Sequence, residues 1–273
     1  MASEESARDL VSCALGEEVV ATTQAAWGFQ NRTDIVTLAG GERVVLQRYR
    51  RREDAEYRLR GMRALSAAPV AMPDVRAADL DADPAWAIFA ALPGVPAPEA
   101  DATATLARPM GELLAAIQRL PTAGVALDDL WSDPQRLADR ATRWAAEIEG
   151  VDDVIARVPE LFANRPAVIA HGDFAPVNVL TDGATLTGLL DFESARLADP
   201  LFDPAWWHWS VGFSPPGVLR SAWPEFLAGA GLADDPERIQ TLQILRMLEL
   251  LAGPTLSADV RRIVADRLSA TMR

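Results

Sequence analysis

The chain has 273 residues, 49% of them hydrophobic and 24% charged, with a formal net charge of −13. That length suits one large α/β domain or two modest lobes, and that balance excludes a disordered tail, a collagen and a coiled coil. The excess of acid argues against a general nucleic-acid surface, which needs cations to neutralise phosphates. It fits a cationic small-molecule ligand or plain solubility.

All 26 basic residues are arginine, and there is no lysine. Chemistry that needs a lysine is therefore excluded: Schiff bases, pyridoxal phosphate and the lysine of a P-loop. An arginine can still bind phosphate. The single cysteine, Cys13, cannot form an intrachain disulfide, and its apolar neighbours predict a packed side chain. Two histidines, His171 and His208, with one cysteine are too few for a usual zinc site. The acidic start Met1-Ala2-Ser3-Glu4-Glu5 lacks the basic and apolar run of a signal peptide, and no apolar stretch is long enough to span a bilayer. A cytoplasmic protein with neither a membrane nor a nucleic-acid partner is expected, and no obligate protein partner is evident.

In chain order, Ser3 can cap a helix reaching Leu15. Val19 to Thr23 reads as a strand, followed by a turn at Trp27-Gly28-Phe29. Thr33–Leu38 and Arg43–Arg48 read as two strands joined at Gly40-Gly41. A helix over Glu53–Leu65 comes next, then short strands near Val75 and over Ala85–Ala90. Leu92-Pro93-Gly94-Val95-Pro96-Ala97-Pro98 breaks any regular element and reads as a hinge. Helices are expected at 102–119, 134–149, 152–163, 201–211, 218–229, 236–251 and 257–271, interrupted by short strands between Val168 and Leu190. The expected class is α+β and bilobal. A small sheet lobe with one helix covers 1–91, the hinge covers 92–98, and a larger, mainly helical lobe covers 99–273. The cleft between the lobes is the natural ligand site.

The informative run is His171-Gly172-Asp173-Phe174-Ala175-Pro176-Val177-Asn178, with Asp191 following in Leu189-Leu190-Asp191-Phe192-Glu193. Asp173 and Asn178 share one short loop. A hairpin through Val179–Thr181 and Leu186–Leu190 returns Asp191 to the same place. Two carboxylates and a carboxamide are oxygen ligands suited to Mg²⁺, which keeps waters and binds substrate phosphates. A carboxylate left free of the metal can take a proton from an attacking hydroxyl.

This pattern, H-G-D-x-x-x-x-N followed by D-F-E, resembles the aminoglycoside phosphotransferase and choline kinase family within the protein-kinase-like fold. The resemblance implies a phosphotransferase that uses ATP, with GTP not excluded, and Mg²⁺ to phosphorylate a small-molecule hydroxyl. The acceptor it suggests is an aminoglycoside-like or other cationic antibiotic. The alternatives are a metabolite such as choline, a sugar or an amino-alcohol, or a nucleotide-binding module without turnover.

Residue by residue, Asp173 resembles the family's catalytic base, and Asn178 and Asp191 its metal ligands. Glu193 resembles the family's second acid, which the resemblance implies assists the metal or a cationic substrate. His171 and Asp203 resemble residues that brace the loop. Gly28 and Asn31 stand in a segment that looks like the loop over the phosphates. On the third strand either Arg48 or Gln47 takes the place of the phosphate-gripping lysine, and charge favours Arg48. Alternation allows only one of them to face the cleft. Glu56, or Glu53, resembles the acid that pairs with this cation. Phe89, Ala90 and Leu92 resemble the segment whose backbone hydrogen-bonds adenine, with Leu180 and Leu190 lining the nucleotide site. Asp199 and Glu249 are candidates for binding substrate amines. His208, in Trp206-Trp207-His208-Trp209, reads as helix packing, and Arg48-Tyr49-Arg50-Arg51-Arg52 as a solvated helix entrance.

Overall fold

The computed structural model describes residues 6–25, 31–99, 101–215, 217–254 and 256–272, and among them forms nine α-helices and eleven strands. Helix α1 (Ala7–Leu15) is capped by Ser6, whose Oγ accepts the Asp9 N–H at 3.1 Å. The expected cap, Ser3, lies outside the described residues. Cys13 is exposed rather than packed, because α1 buries the stripe Ala7, Leu10 and Val11 and Cys13 falls off it.

Strands β1 (Val19–Gln24), β2 (Arg32–Leu38) and β3 (Arg43–Arg48), helix α2 (Arg52–Leu65), and strands β4 (Val75–Asp79) and β5 (Trp86–Ala90) follow. The five strands form one antiparallel sheet in the order β1-β2-β3-β5-β4. Strand alternation divides its side chains between two covers. Val36, Leu38, Val44, Leu46 and Ile88 pack with Leu10 and Val11 of α1. Ala87 and Phe89 join Ala55, Met62 and Leu65 of α2 in the large core.

Beyond the sheet come β6 (Val95–Pro96), α3 (Ala107–Gln118), β7 (Asp128–Trp131), α4 (Pro134–Trp144), α5 (Asp152–Leu161) and β8 (Val168–Ala170). A single 3₁₀ turn, Pro176–Asn178, leads into β9 (Val179–Thr181) and β10 (Leu186–Leu189). Then follow β11 (Arg196–Ala198) and helices α6 (Phe202–Val211), α7 (Val218–Ala230), α8 (Pro236–Ala252) and α9 (Ala258–Thr271). The expected hinge thus contains a strand: Val95 pairs with Thr181 of β9 in a three-stranded sheet β10-β9-β6. A proline is tolerated there because an edge strand need not donate from every residue. A second small sheet, β7-β11-β8, joins segments too short to show alternation in sequence.

The outcome is the mixed α+β architecture, with an antiparallel sheet in the N-terminal region and helices dominating the C-terminal region. Among the described residues no helix is long and apolar enough to cross a membrane.

Candidate active site

The loop from His171 to Asn178 is fixed from beneath. Asp203, at the start of α6 and almost wholly buried, accepts the backbone N–H of His171 at 2.7 Å and that of Gly172 at 2.9 Å. The buried His171 ring spans the gap to the second motif. Its Nε2–H donates to the Leu190 carbonyl at 2.9 Å, and its Nδ1 accepts the Asp173 N–H at 3.3 Å. Burial pushes its pKa down despite the nearby charges of Asp203 and Asp173, so the neutral tautomer is the one held. Gly172 has φ 85°, and a Cβ there would lie 1.8 Å from the Ser194 carbonyl oxygen. Only glycine lets the loop pass this close to the D-F-E segment.

Asp173 is oriented through both carboxylate oxygens. Asn178, on the 3₁₀ turn, donates its Nδ2 to Asp173 Oδ2 at 2.8 Å and to the Asp173 carbonyl at 2.9 Å. Trp206 Nε1, one turn into α6, donates to Oδ1. A carboxylate offers about four acceptor sites, so room remains for an incoming hydroxyl. Nothing in the motif spacing marks Trp206 as a neighbour of Asp173.

Asp191 and Glu193 lie beside this group. Asp191 takes a left-handed backbone, φ 64°, a sparsely populated region that often marks functional positions. Restricted hydration, then the charge of Asp173, push its carboxyl pKa up, while Arg58 opposes the shift. Glu193 is pushed up to about 7, first by burial and then by Asp191, again opposed by Arg58 and by Asn31. Asn31 donates Nδ2 to both Glu193 oxygens at 3.0 and 3.1 Å. Arg58 Nη1 stands 3.4 Å from Glu193 Oε1 and 3.7 Å from Asp191 Oδ1. The motifs did not identify Arg58.

The donor set fits a hard divalent cation. Asn178 commits its amide hydrogens to Asp173, which leaves its carbonyl oxygen able to ligate, and the Asp191 side chain is 46% exposed. Among the described residues no group of three His, Cys, Asp or Glu side chains could hold a metal by itself. Such a site needs water and substrate phosphates to complete its shell, as Mg²⁺ sites commonly do.

On β3 the expectation for Arg48 is corrected. Arg48 shares strand phase with Val44 and Leu46, the residues packed against α1, and is buried 2.8 Å from Asp34. Gln47 lies on the opposite face, opposite Ala87, and its Oε1 accepts the Tyr49 hydroxyl at 2.9 Å. Glu56 is corrected too: it pairs with Arg52 at 2.8 Å on the outer surface of α2, and Glu53 is exposed. Gly28 lies outside the described residues. The Ala90 N–H already donates to the Asp74 carbonyl at 2.8 Å and the Ala91 N–H to Arg43 at 3.0 Å, so Ala90 cannot offer its amide to a base. The Leu92 side chain lies close to Gly188 and Leu180 lines the same spot; Phe89 is buried beneath the Arg58 guanidinium, and Leu190 donates its N–H to the Asn178 carbonyl at 2.8 Å.

Both candidate amine-binding acids are neutralised internally. Asp199 pairs with Arg165. Glu249 accepts from Arg196 Nη1 at 3.1 Å on each oxygen, from Trp131 Nε1 at 3.3 Å, and from Arg246. Arg246 in turn lies 5.5 Å from the Trp206 ring. His208 packs as expected, with Nδ1 3.0 Å from Gln243 Nε2 and its ring edge-on to Trp223.

The family model described as the phosphotransferase enzyme family matches residues 21–242. The chain belongs to that family. It is accordingly a phosphotransferase, and solved structures agree in fold. One is the apoenzyme of macrolide 2'-phosphotransferase MphH from Brachybacterium faecium, at 20% identity and a TM-score of 0.67, covering 97% of each chain. Another is the GDP complex of aminoglycoside 2'-phosphotransferase-IIIa, at 15% identity and a TM-score of 0.73, covering 98% of this chain and 99% of that one. A third is a thermostable mutant of aminoglycoside phosphotransferase APH(4)-Ia in a ternary complex with ADP and hygromycin B. It has 17% identity and a TM-score of 0.69, and 98% of each chain is covered. No curated protein matches the sequence.

Proposed function

We propose that this phosphotransferase moves the terminal phosphoryl group of a nucleoside triphosphate, with Mg²⁺, onto a hydroxyl of a small molecule in the cytoplasm. The observation that supports this most is Asp173, its carboxylate aimed by Asn178 and Trp206, with Asp191 beside it. The acceptor hydroxyl donates its hydrogen bond to Asp173, which turns the oxygen toward the terminal phosphorus and receives the proton. The acceptor O–P bond forms as the bond to the β-phosphate oxygen breaks, and the nucleoside diphosphate leaves. Asn178 and Asp191 would hold the cation, whose charge offsets that of the phosphates. Catalysis by this set is positioning and electrostatics, without a covalent intermediate. The GDP and ADP complexes among the neighbours leave the base open.

For the acceptor, a cationic antibiotic alcohol is favoured. Around Trp206 the arginines Arg196 and Arg246 are outnumbered by acids: Glu249, Asp173 and, acting on Arg196, Asp128 and Asp203. The overall charge of −13 attracts a cation from a distance as well. The test is acceptor-dependent nucleotide consumption over macrolides, aminoglycosides, choline and sugars, with ATP and with GTP. At least tenfold faster turnover with a cationic antibiotic, aminoglycoside or macrolide, than with a neutral sugar is expected. A neutral sugar as best acceptor contradicts the charge argument. Absence of turnover with every acceptor, together with absence of nucleotide binding, contradicts the whole reading.

A further inference from the structure

Arg58 sits on the interior stripe of α2, in phase with Ala55, Gly61, Met62 and Leu65. Its side chain is 7% exposed and its guanidinium lies 4.8 Å above the Phe89 ring, yet its Nε is buried without a hydrogen-bond partner. A buried guanidinium does not lose its proton, so it must always face an anion. Helix α2 cannot swing away to relieve it: a Cβ on Gly61 would lie 2.3 Å from the Phe192 carbonyl oxygen, so the helix is seated on the segment that carries Asp191. On the strand beside it, Gln47 is neutral and Arg48 is buried against Asp34 on the other face.

We propose that Arg58 is the cation that binds the phosphate chain of the nucleotide, from the helix rather than from the strand. The assignment rests on the reading that this site takes a nucleoside triphosphate. Without ligand, Arg58 neutralises Asp191 and Glu193. Once Asp191 is engaged by a divalent cation, Glu193 alone still faces the guanidinium, and its orphaned Nε is left for a further acceptor. A phosphate oxygen pair matches its fork, with the orphaned Nε as one donor.

The test compares affinities by calorimetry for the magnesium complex of ATP or GTP, whichever the wild type binds more tightly, and for the corresponding nucleoside. Arg58→Gln is expected to weaken the nucleotide tenfold or more and the nucleoside less than twofold, with folding verified by circular dichroism. Arg52→Ala, a change at an exposed residue of the same helix, is expected to alter neither by more than twofold. Should the glutamine variant fail to fold, Arg58→Lys carries the same comparison. A threefold or larger loss confined to the nucleotide supports the assignment. Equal losses on nucleotide and nucleoside, or no loss on the nucleotide in a folded variant, overturn it and leave Arg58 a packing residue. A wild type that binds neither nucleotide overturns the underlying reading, and the assignment with it.

Discussion

Asp173→Ala is expected to lower kcat by about 10³-fold while changing nucleotide affinity less than about threefold. General-base catalysis by a positioned side chain contributes about 10²–10⁴-fold. The carboxylate is the acceptor of two side-chain donors, Asn178 Nδ2 and Trp206 Nε1, and contributes no positive charge that a phosphate would use. Asp173→Asn separates shape from chemistry. The amide keeps the volume, but its NH₂ must face one of those two donors and cannot take up a proton, so turnover is expected to fall as far as in the alanine variant. A folded Asp173→Asn protein with kcat within a few-fold of wild type would remove Asp173 from the base role.

Glu249→Gln is expected to cost about 3 kcal/mol of folding stability near neutral pH. The Glu249 carboxyl lies well below its ordinary 4.5, at about 2, although burial alone would raise it; Arg196 and then Arg246 outweigh that burial. A depression of that size corresponds to about 3 kcal/mol of linkage. Removal of the acid also leaves two guanidiniums, 12% and 10% exposed, without their anion, a loss of about 3–5 kcal/mol in comparable buried pairs. Because the folded-state pKa is lowered, the stabilisation is complete above the unfolded value and fades as pH falls toward about 2. The gap between wild type and variant in urea unfolding should therefore stay constant from pH 8 to 5 and narrow below about 4.5. A gap under about 0.5 kcal/mol at pH 7 would mean that the pair contributes little beyond its own desolvation.

The elements most legible in the sequence were those whose signal is local. The loop from His171 to Asn178 and the return to Asp191 are set by short spacings and one hairpin, and the strands β2 and β3 by alternation around Gly40-Gly41. What the sequence concealed depends on what lies across from a residue. Val44, Leu46 and Arg48 share one phase and Val45 and Gln47 the other, but only the docking of α1 decides which face looks toward Asp191. Charge alone therefore favours Arg48, the member that shares its face with the residues packed on α1. Glu249 reads as a free acid because Arg196 is distant in the chain and only the fold turns Arg246, its i−3 neighbour, onto the same carboxylate. Arg58 carried a usable signal. It falls in helical phase with Ala55, Met62 and Leu65, and an arginine on an apolar stripe faces inward and needs a partner there.

The most direct measurement is the affinity of the wild type and of Asp191→Asn for nucleotide, taken with Mg²⁺ and with chelator. The account predicts that Mg²⁺ tightens wild-type binding at least tenfold and that the Asp191→Asn protein, while folded, loses most of that gain. Equal affinity with and without Mg²⁺ in the wild type, or an undiminished Mg²⁺ effect in the variant, would contradict it.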